Sequence, residues 1–149
     1  MEKDRAYYHA VEQTLTLADF ERGKHSPKHS LFHLERMRLL CAQLGNPQSD
    51  IPSVHIAGTK GKGTTAAMIT AILGSSGYKV GLVTSPHLHS LTERIRIGSE
   101  PISKSDFTNL VNQIWPVVLE TGQNSQYGGV TWFEFMVSAA FHFFRESDV

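Results

Sequence analysis

The stretch 54-VHIAGTKGKGTTAAMITAIL-73 gathers three glycines and two lysines into residues 58–63, between an apolar run and a helix-like one. Those residue types at that spacing suit the holding of phosphate. Glycines let backbone N–H groups close on phosphate oxygens, and the N-terminus of a following helix favours negative charge. Lys62 adds a point charge at the outer phosphates. A solvated glycine-rich surface loop is the bland alternative, and it does not account for the strand before and the helix after. The loop departs from the general G-x-x-x-x-G-K-[ST] pattern: Gly63 follows Lys62, and Ile56 stands where the first glycine belongs. The hydroxyl that ordinarily meets magnesium is thereby displaced to Thr64. Magnesium demands near-octahedral oxygen coordination, so another oxygen is expected nearby. Ser85, closing the next expected strand, is well placed, because ligands gather at the carboxyl ends of strands in open parallel sheets.

Other reactive side chains carry weaker signals. His25, His29 and His33 are spaced by four, but Pro27 interrupts any helix that would align the first two as metal ligands. Cys41 is the only cysteine, which excludes an intrachain disulfide and a paired-cysteine zinc site. Its place on an apolar helix face reads as core.

The elements that must position the loop follow from periodicity. Residues 5–20 set Tyr8, Val11, Leu15 and Ala18 at helical spacing, and Leu34, Met37, Cys41 and Leu44 line a second helix that Gly45-Asn46-Pro47 stops. A polar connection around Pro27 joins them. Residues 53–57 form an expected buried strand, a helix runs from about Thr64 to Ser76 with Gly77 closing it, and residues 79–84 form another strand. Strand, loop, helix and strand within about thirty residues make a βαβ unit with parallel strands. Residues 93–97 alternate as a short extended piece before the turn 98-GSEP-101. Ser103 and Asp106 form an expected capping pair for a helix through Phe107, Leu110, Val111, Ile114 and Val118, which Pro116 should kink or restart. Residues 121–129 read as a loop, and 131–146 as a largely buried helix. An alternating α/β fold should then supply a third parallel strand, and the sequence reads as cut off mid-domain.

Composition bounds the classes. The 149 residues suit one domain, and the 40% apolar and 19% charged content suits a globular chain. Fourteen basic and fourteen acidic side chains leave no net charge, which speaks against nucleic-acid binding. There is no signal-peptide core or membrane-length apolar run, so no membrane partner is expected and a cytoplasmic location is the default.

The loop Gly58-Thr59-Lys60-Gly61-Lys62-Gly63-Thr64, then 84-TSPHL-88, 92-TERIRIGSEPIS-103 and 131-TWFEFMVSAAFHFF-144, together resemble the folylpolyglutamate synthase and dihydrofolate synthase family, a branch of the Mur-type ATP-dependent amide ligases. The resemblance covers roughly residues 31 to 149, with four motifs in order. It implies an α/β P-loop fold: leading helices over 1–50, then an α/β core over 51–149 with an incomplete parallel sheet. It implies a monomeric enzyme of folate biosynthesis and one-carbon metabolism that joins L-glutamate to a folate or to dihydropteroate through an acyl phosphate, with ATP and Mg²⁺ as cofactors. By resemblance, residues 58–64 hold ATP, Ser85 is a magnesium ligand and Thr131 contacts the pterin-bearing substrate. Glu93, Arg94 and Glu134 match family positions, where loop-fixing ion pairs compete with chemistry. His87 belongs to the S-P-H motif, where a structural hydrogen bond competes likewise. Trp132, Phe133 and Phe135 are too dense to be anything but mostly core, with room for one to face a ligand.

Two positions depart from the family pattern. Lys60 stands where asparagine is usual and reads as pointing to solvent. In 31-LFHLER-36, Leu31 and His33 replace an acid and a glycine in a segment that helps bind the pterin. The family's magnesium-binding glutamate and histidine, its modified lysine and its glutamate-binding domain have no counterpart in these residues, so the 149-residue chain alone is expected to lack ligase turnover. A catalytically silent nucleotide-binding module from a truncated gene and another P-loop NTPase are the competing readings.

Overall fold

The structure is a computed structural model and describes residues 2–19 and 33–149. The chain runs α1 (Glu2–Leu15), α2 (Leu34–Gln43), a 3-10 turn (Pro47–Ser49), α3 (Lys62–Ser75), β1 (Gly81–Val83), a second 3-10 turn (Leu91–Arg94), β2 (Ile95–Ile97), β3 (Glu100–Pro101), α4 (Lys104–Asn124) and α5 (Trp132–Glu146). Helices α1, α2, α4 and α5 pack on one another, and α5 also packs against β1. Their shared core is centred on Leu40, Ile95, Phe107, Ile114, Trp132 and Phe135. Each such side chain contributes roughly 1.5–3 kcal/mol by leaving water.

Local chemistry explains most boundaries. Gly45 and Asn46 both take positive φ, 75° and 53°, ending α2 as expected. Gly77, at φ 89°, reverses the chain after α3, with the Tyr78 N–H donating to the Leu73 carbonyl. Ser103 caps α4 by accepting from the Asp106 N–H at 3.0 Å. Helix α4 continues through Pro116 without a restart. Pro116 lies on the exposed side, so the carbonyl it leaves unpaired faces water while Ile114 and Val118 stay in the core. The helix also runs on to Asn124, shortening the expected loop.

Three expectations are corrected. The buried face of α1 is Tyr7, Ala10 and Thr14, with Tyr8 and Leu15 exposed. Tyr7 meets Phe107 edge-on with ring centroids 5.9 Å apart, and the Thr14 hydroxyl donates to the Val11 carbonyl at 2.8 Å, so a threonine can serve as core. On α2, Cys41 and Leu44 are buried as expected, Leu34 is exposed, and Arg36 takes a core position. Finally, residues 53–57 form no ladder with β1, and the observed sheet is antiparallel, in the order β1-β2-β3, with Gly81 opposite Ile97 and Arg96 opposite Pro101. Parallel strands are normally covered on both faces. Val54 is instead 67% exposed, and of the residues of α3 only Thr70 is buried. The expected connection at 23–30, with His25, His29 and Leu31, lies outside the described residues.

Candidate functional site

The lysine-glycine loop leads straight into α3. Gly61 is the N-cap in the left-handed conformation, φ 74°, and no side chain caps the helix. The first-turn N–H groups of Lys62, Gly63 and Thr64 have no intrahelical partners. A Cβ built at Gly61 or Gly63 meets no described atom within 4 Å, so crowding by described atoms does not dictate glycine there. At Gly61 the reason is the positive φ; at Gly63, in the first turn, an open approach to backbone N–H groups is what glycine supplies. The Lys62 Nζ folds back to donate to the Gly58 carbonyl at 2.8 Å, so its ammonium sits over the loop mouth. All seven residues from Gly58 to Thr64, Lys60 included, are exposed.

Segment lengths alone are compatible with Ser85 lying towards this end. Helix α3 has 14 residues and is therefore about 21 Å long. After the reversal at Gly77, the extended path over residues 79–85 covers about 20 Å while α3 packs on β1. Ser85 is exposed and precedes a cis peptide bond to Pro86. Among the described residues no group of three His, Cys, Asp or Glu side chains could hold a metal ion. The hydroxyls of Ser85 and Thr64 are hard oxygen donors, and magnesium commonly keeps its waters and binds through one or two side chains plus phosphate. These residues therefore fit magnesium carried in on phosphate, not a metal caged by protein.

The loop bearing Ser85 is held by its neighbours. The Glu93 carboxylate accepts from the backbone N–H groups of Leu88 (2.9 Å), His89 (3.1 Å) and Ser90 (2.8 Å). The Leu88 N–H, then those of Ser90 and His89, hold this carboxyl below the usual glutamate range. Ser90 and Glu93 make a capping box around the 3-10 turn. Arg94, buried, donates from Nε to the His87 Nδ1 at 2.9 Å and lies with its guanidinium carbon 4.5 Å from the centroid of the Trp132 ring.

Thr131 is buried as the N-cap of α5. Its hydroxyl accepts from the Glu134 N–H at 3.3 Å, and its own N–H donates to Glu134 Oε2 at 2.8 Å. Arg36 clamps the same carboxylate with two bonds, Nε to Oε2 at 2.7 Å and Nη2 to Oε1 at 2.9 Å, and donates from Nη1 to the Tyr127 carbonyl at 2.6 Å. His33 stacks on Tyr127, ring centroids 4.4 Å apart. Trp132 and Phe135 are core, whereas Phe133 is half exposed and free to meet a ligand. Cys41 is core, with burial pushing its thiol up. Glu93, Arg94, Glu134 and His87 thus fix loops and helix ends. The patterns Ser90-x-x-Glu93 and Thr131-x-x-Glu134 are the signals that announce two of these arrangements. Nothing in the sequence pairs Arg36 with Glu134 or Arg94 with Trp132.

No protein-family model matches the chain. Among curated proteins, it is 45% identical to the dihydrofolate synthase/folylpolyglutamate synthase of Bacillus subtilis over 113 residues, 76% of this chain and 26% of that protein. Its structure superposes on a Mycobacterium tuberculosis folylpolyglutamate synthase complexed with ADP, TM-score 0.86 and 31% identity, over 99% of this chain and 31% of that one. It superposes as well on a folylpolyglutamate synthase–AMPPCP–folate complex, TM-score 0.83 and 32% identity, over 96% of this chain and 33% of that one. The fold is thus that of the N-terminal part of a Mur-type ligase. The chain belongs to the folylpolyglutamate synthase/dihydrofolate synthase family and matches the N-terminal part of longer members. It spans about a quarter to a third of the length of these three relatives. No described helix is long and apolar enough to cross a membrane.

Proposed function

We propose that this chain forms the nucleotide-binding part of an ATP-dependent ligase that adds L-glutamate to a folate or to dihydropteroate. The observation that carries this reading is the uncapped N-terminus of α3, with Gly61 at φ 74° and Lys62 over the loop mouth. In this reading residues 58–61 and the first N–H groups of α3 cradle the ATP phosphates, and Lys62 leaves the Gly58 carbonyl to meet the outer ones. The substrate carboxylate takes the γ-phosphoryl group, giving an acyl phosphate and ADP. The amine of glutamate then attacks the acyl carbon, phosphate leaves, and a proton is released as the amide forms. Magnesium, when bound, neutralises charge building on the transferring group. Thr64 and Ser85 would contribute its protein oxygens, and Thr131, Tyr127, His33 and the exposed Phe133 line the acceptor side.

The leading helices over 1–50 and the α/β core over 51–149 act here as one portion of a larger ligase. Ile72 on α3 is 64% exposed, and Val54 and Met68 are exposed with it. A helix apolar on all sides belongs in an interior. That face supports a reading in which residues 53–57, β1 and α3 are covered by further strands, as a parallel α/β core requires.

Calorimetric titration with ADP and Mg²⁺ tests the nucleotide site, with Lys62→Met expected to weaken binding at least tenfold, about 1.4 kcal/mol. A second assay follows ADP release by the 149-residue chain with and without glutamate and folate. No turnover is expected from the chain alone. Glutamate-dependent release overturns that expectation, glutamate-independent release favours an NTPase, and failure to bind ADP at all sinks the nucleotide reading.

A further inference from the structure

Between β1 and the 3-10 turn, residues 84–90 carry Ser85, and two successive residues hold this loop from opposite directions. Glu93 gathers the N–H groups of Leu88, His89 and Ser90. Arg94 reaches the loop's middle, donating to the His87 Nδ1 at 2.9 Å. That bond requires a free lone pair at Nδ1, so His87 carries its proton on Nε2. The same guanidinium lies 4.5 Å from the centroid of Trp132, which is fully buried and opens α5 directly after Thr131. The backbone of this short region is pinned too: the Thr84 N–H donates to the Arg94 carbonyl at 3.2 Å, and Arg96 Nε donates to the Glu93 carbonyl at 2.9 Å. A planar cation that hydrogen-bonds in its plane and lies over an aromatic face suits this double contact, and a guanidinium supplies both.

We infer that Arg94 is a positioning residue, a strut through His87 and Trp132 that makes the Ser85 loop and the first turn of α5 a single rigid unit. The inference rests on the proposed ligase reading for its purpose: the strut sets the oxygen that would meet magnesium in register with the Thr131 end of the acceptor site. Its geometry stands without that reading. The Arg94 side chain is buried against His87 and Trp132, so its proposed effect travels through the loop it holds.

Residue-resolved amide exchange of the ligand-free chain reads the strut directly. His87→Ala removes its loop end and leaves the Arg94–Trp132 contact in place. Exchange at Leu88, His89 and Ser90 is expected to speed up at least tenfold in this variant, with α4 unchanged. Arg94→Met is expected to do the same and also to deprotect Glu134 and Phe135. Arg94→Lys, which keeps the charge without the planar fork, is expected not to restore protection. Should Arg94→Met fail to fold, His87→Ala still decides. Loop protection within twofold of wild type in His87→Ala overturns the strut.

The second readout is the factor by which Mg²⁺ tightens ADP binding. A fall of at least fivefold in His87→Ala supports positioning of Ser85, and an unchanged factor beside a loosened loop overturns it. If the wild-type chain binds no ADP, the ligase reading fails and the exchange data still judge the strut.

Discussion

Removing Glu134 should destabilise this chain far more than an exposed ion pair would. Arg36 and Glu134 are 98 residues apart in sequence and meet through bonds of 2.7 and 2.9 Å, with side chains only 4% and 14% exposed. Glu134→Ala removes two of the bonds to the buried guanidinium, whose Nη1 also donates to the Tyr127 carbonyl, and breaking a buried pair from one side costs about 3–5 kcal/mol. The same change removes the acceptor of the Thr131 N–H, a capping loss of about 1 kcal/mol that overlaps with the first. For a chain of this size each kcal/mol lowers Tm by roughly 2–4 °C, so a fall of about 6–20 °C is expected. Arg36→Met should cost a comparable amount. The double variant Arg36→Met/Glu134→Leu buries no charge at this place, and its cost should fall short of the summed singles by at least about 2 kcal/mol. Urea unfolding of the four proteins, followed by circular dichroism, gives the cycle. Single losses under about 1 kcal/mol with coupling under about 0.5 kcal/mol, the values of an exposed pair, would refute the clamp.

Three further expectations follow from contacts already described. A Cβ at Gly81 would lie 2.7 Å from the Phe144 ring, so Gly81→Ala should cost about 1–3 kcal/mol through overpacking, less in a Phe144→Leu background; equal costs in both backgrounds would show that the ring is not the obstacle. Burial, aided by Arg145 and opposed by Glu146, holds His142 below the ordinary histidine value. The unfolded chain therefore takes up the proton first as pH falls. The resulting stabilisation is full above about pH 6.5 and is lost as pH drops through it towards the folded value. His142→Leu should flatten the dependence of Tm on pH across that range, and an unaltered slope would remove His142 as its cause. Glu93 is held low by backbone N–H groups, so its contribution is present above the ordinary glutamate range, about 4.3, and is lost as pH falls through its lower folded value. In a pH series of amide spectra, Leu88, His89 and Ser90 should shift together below that range, and Glu93→Gln should abolish the common transition.

Periodicity failed wherever two faces of a helix were nearly equal in apolar content. On α1 the row Tyr8, Val11, Leu15 reads as well as Tyr7, Ala10, Thr14 does, and only the presence of Phe107 on α4 favours the second. On α2 an arginine took a core place because its carboxylate partner waits 98 residues away. The parallel sheet was legible as a βαβ pattern, but a pattern names which strands suit pairing and not which layers are there to cover them. The sheet that formed uses Ile95, Arg96 and Ile97, read from the sequence only as an extended piece; the turn at Gly98 brings β3 antiparallel to β2, and β1 pairs on its other edge.

What the sequence determined by itself is what lies within a few residues along the chain: the lysine-glycine loop leading into α3, the stops at Gly45 and Gly77, the Ser103 cap, and α5 as a buried helix. These depend on hydrogen bonds spanning three to five positions and on glycine's access to positive φ, which no distant contact need supply. Tertiary structure alone decided that Arg36 grips Glu134 and that Arg94 joins His87 to Trp132. A buried guanidinium is tolerable where acceptors, or an acceptor and an aromatic face, converge on it, and that convergence comes from folding α2, the second 3-10 turn and α5 onto one core.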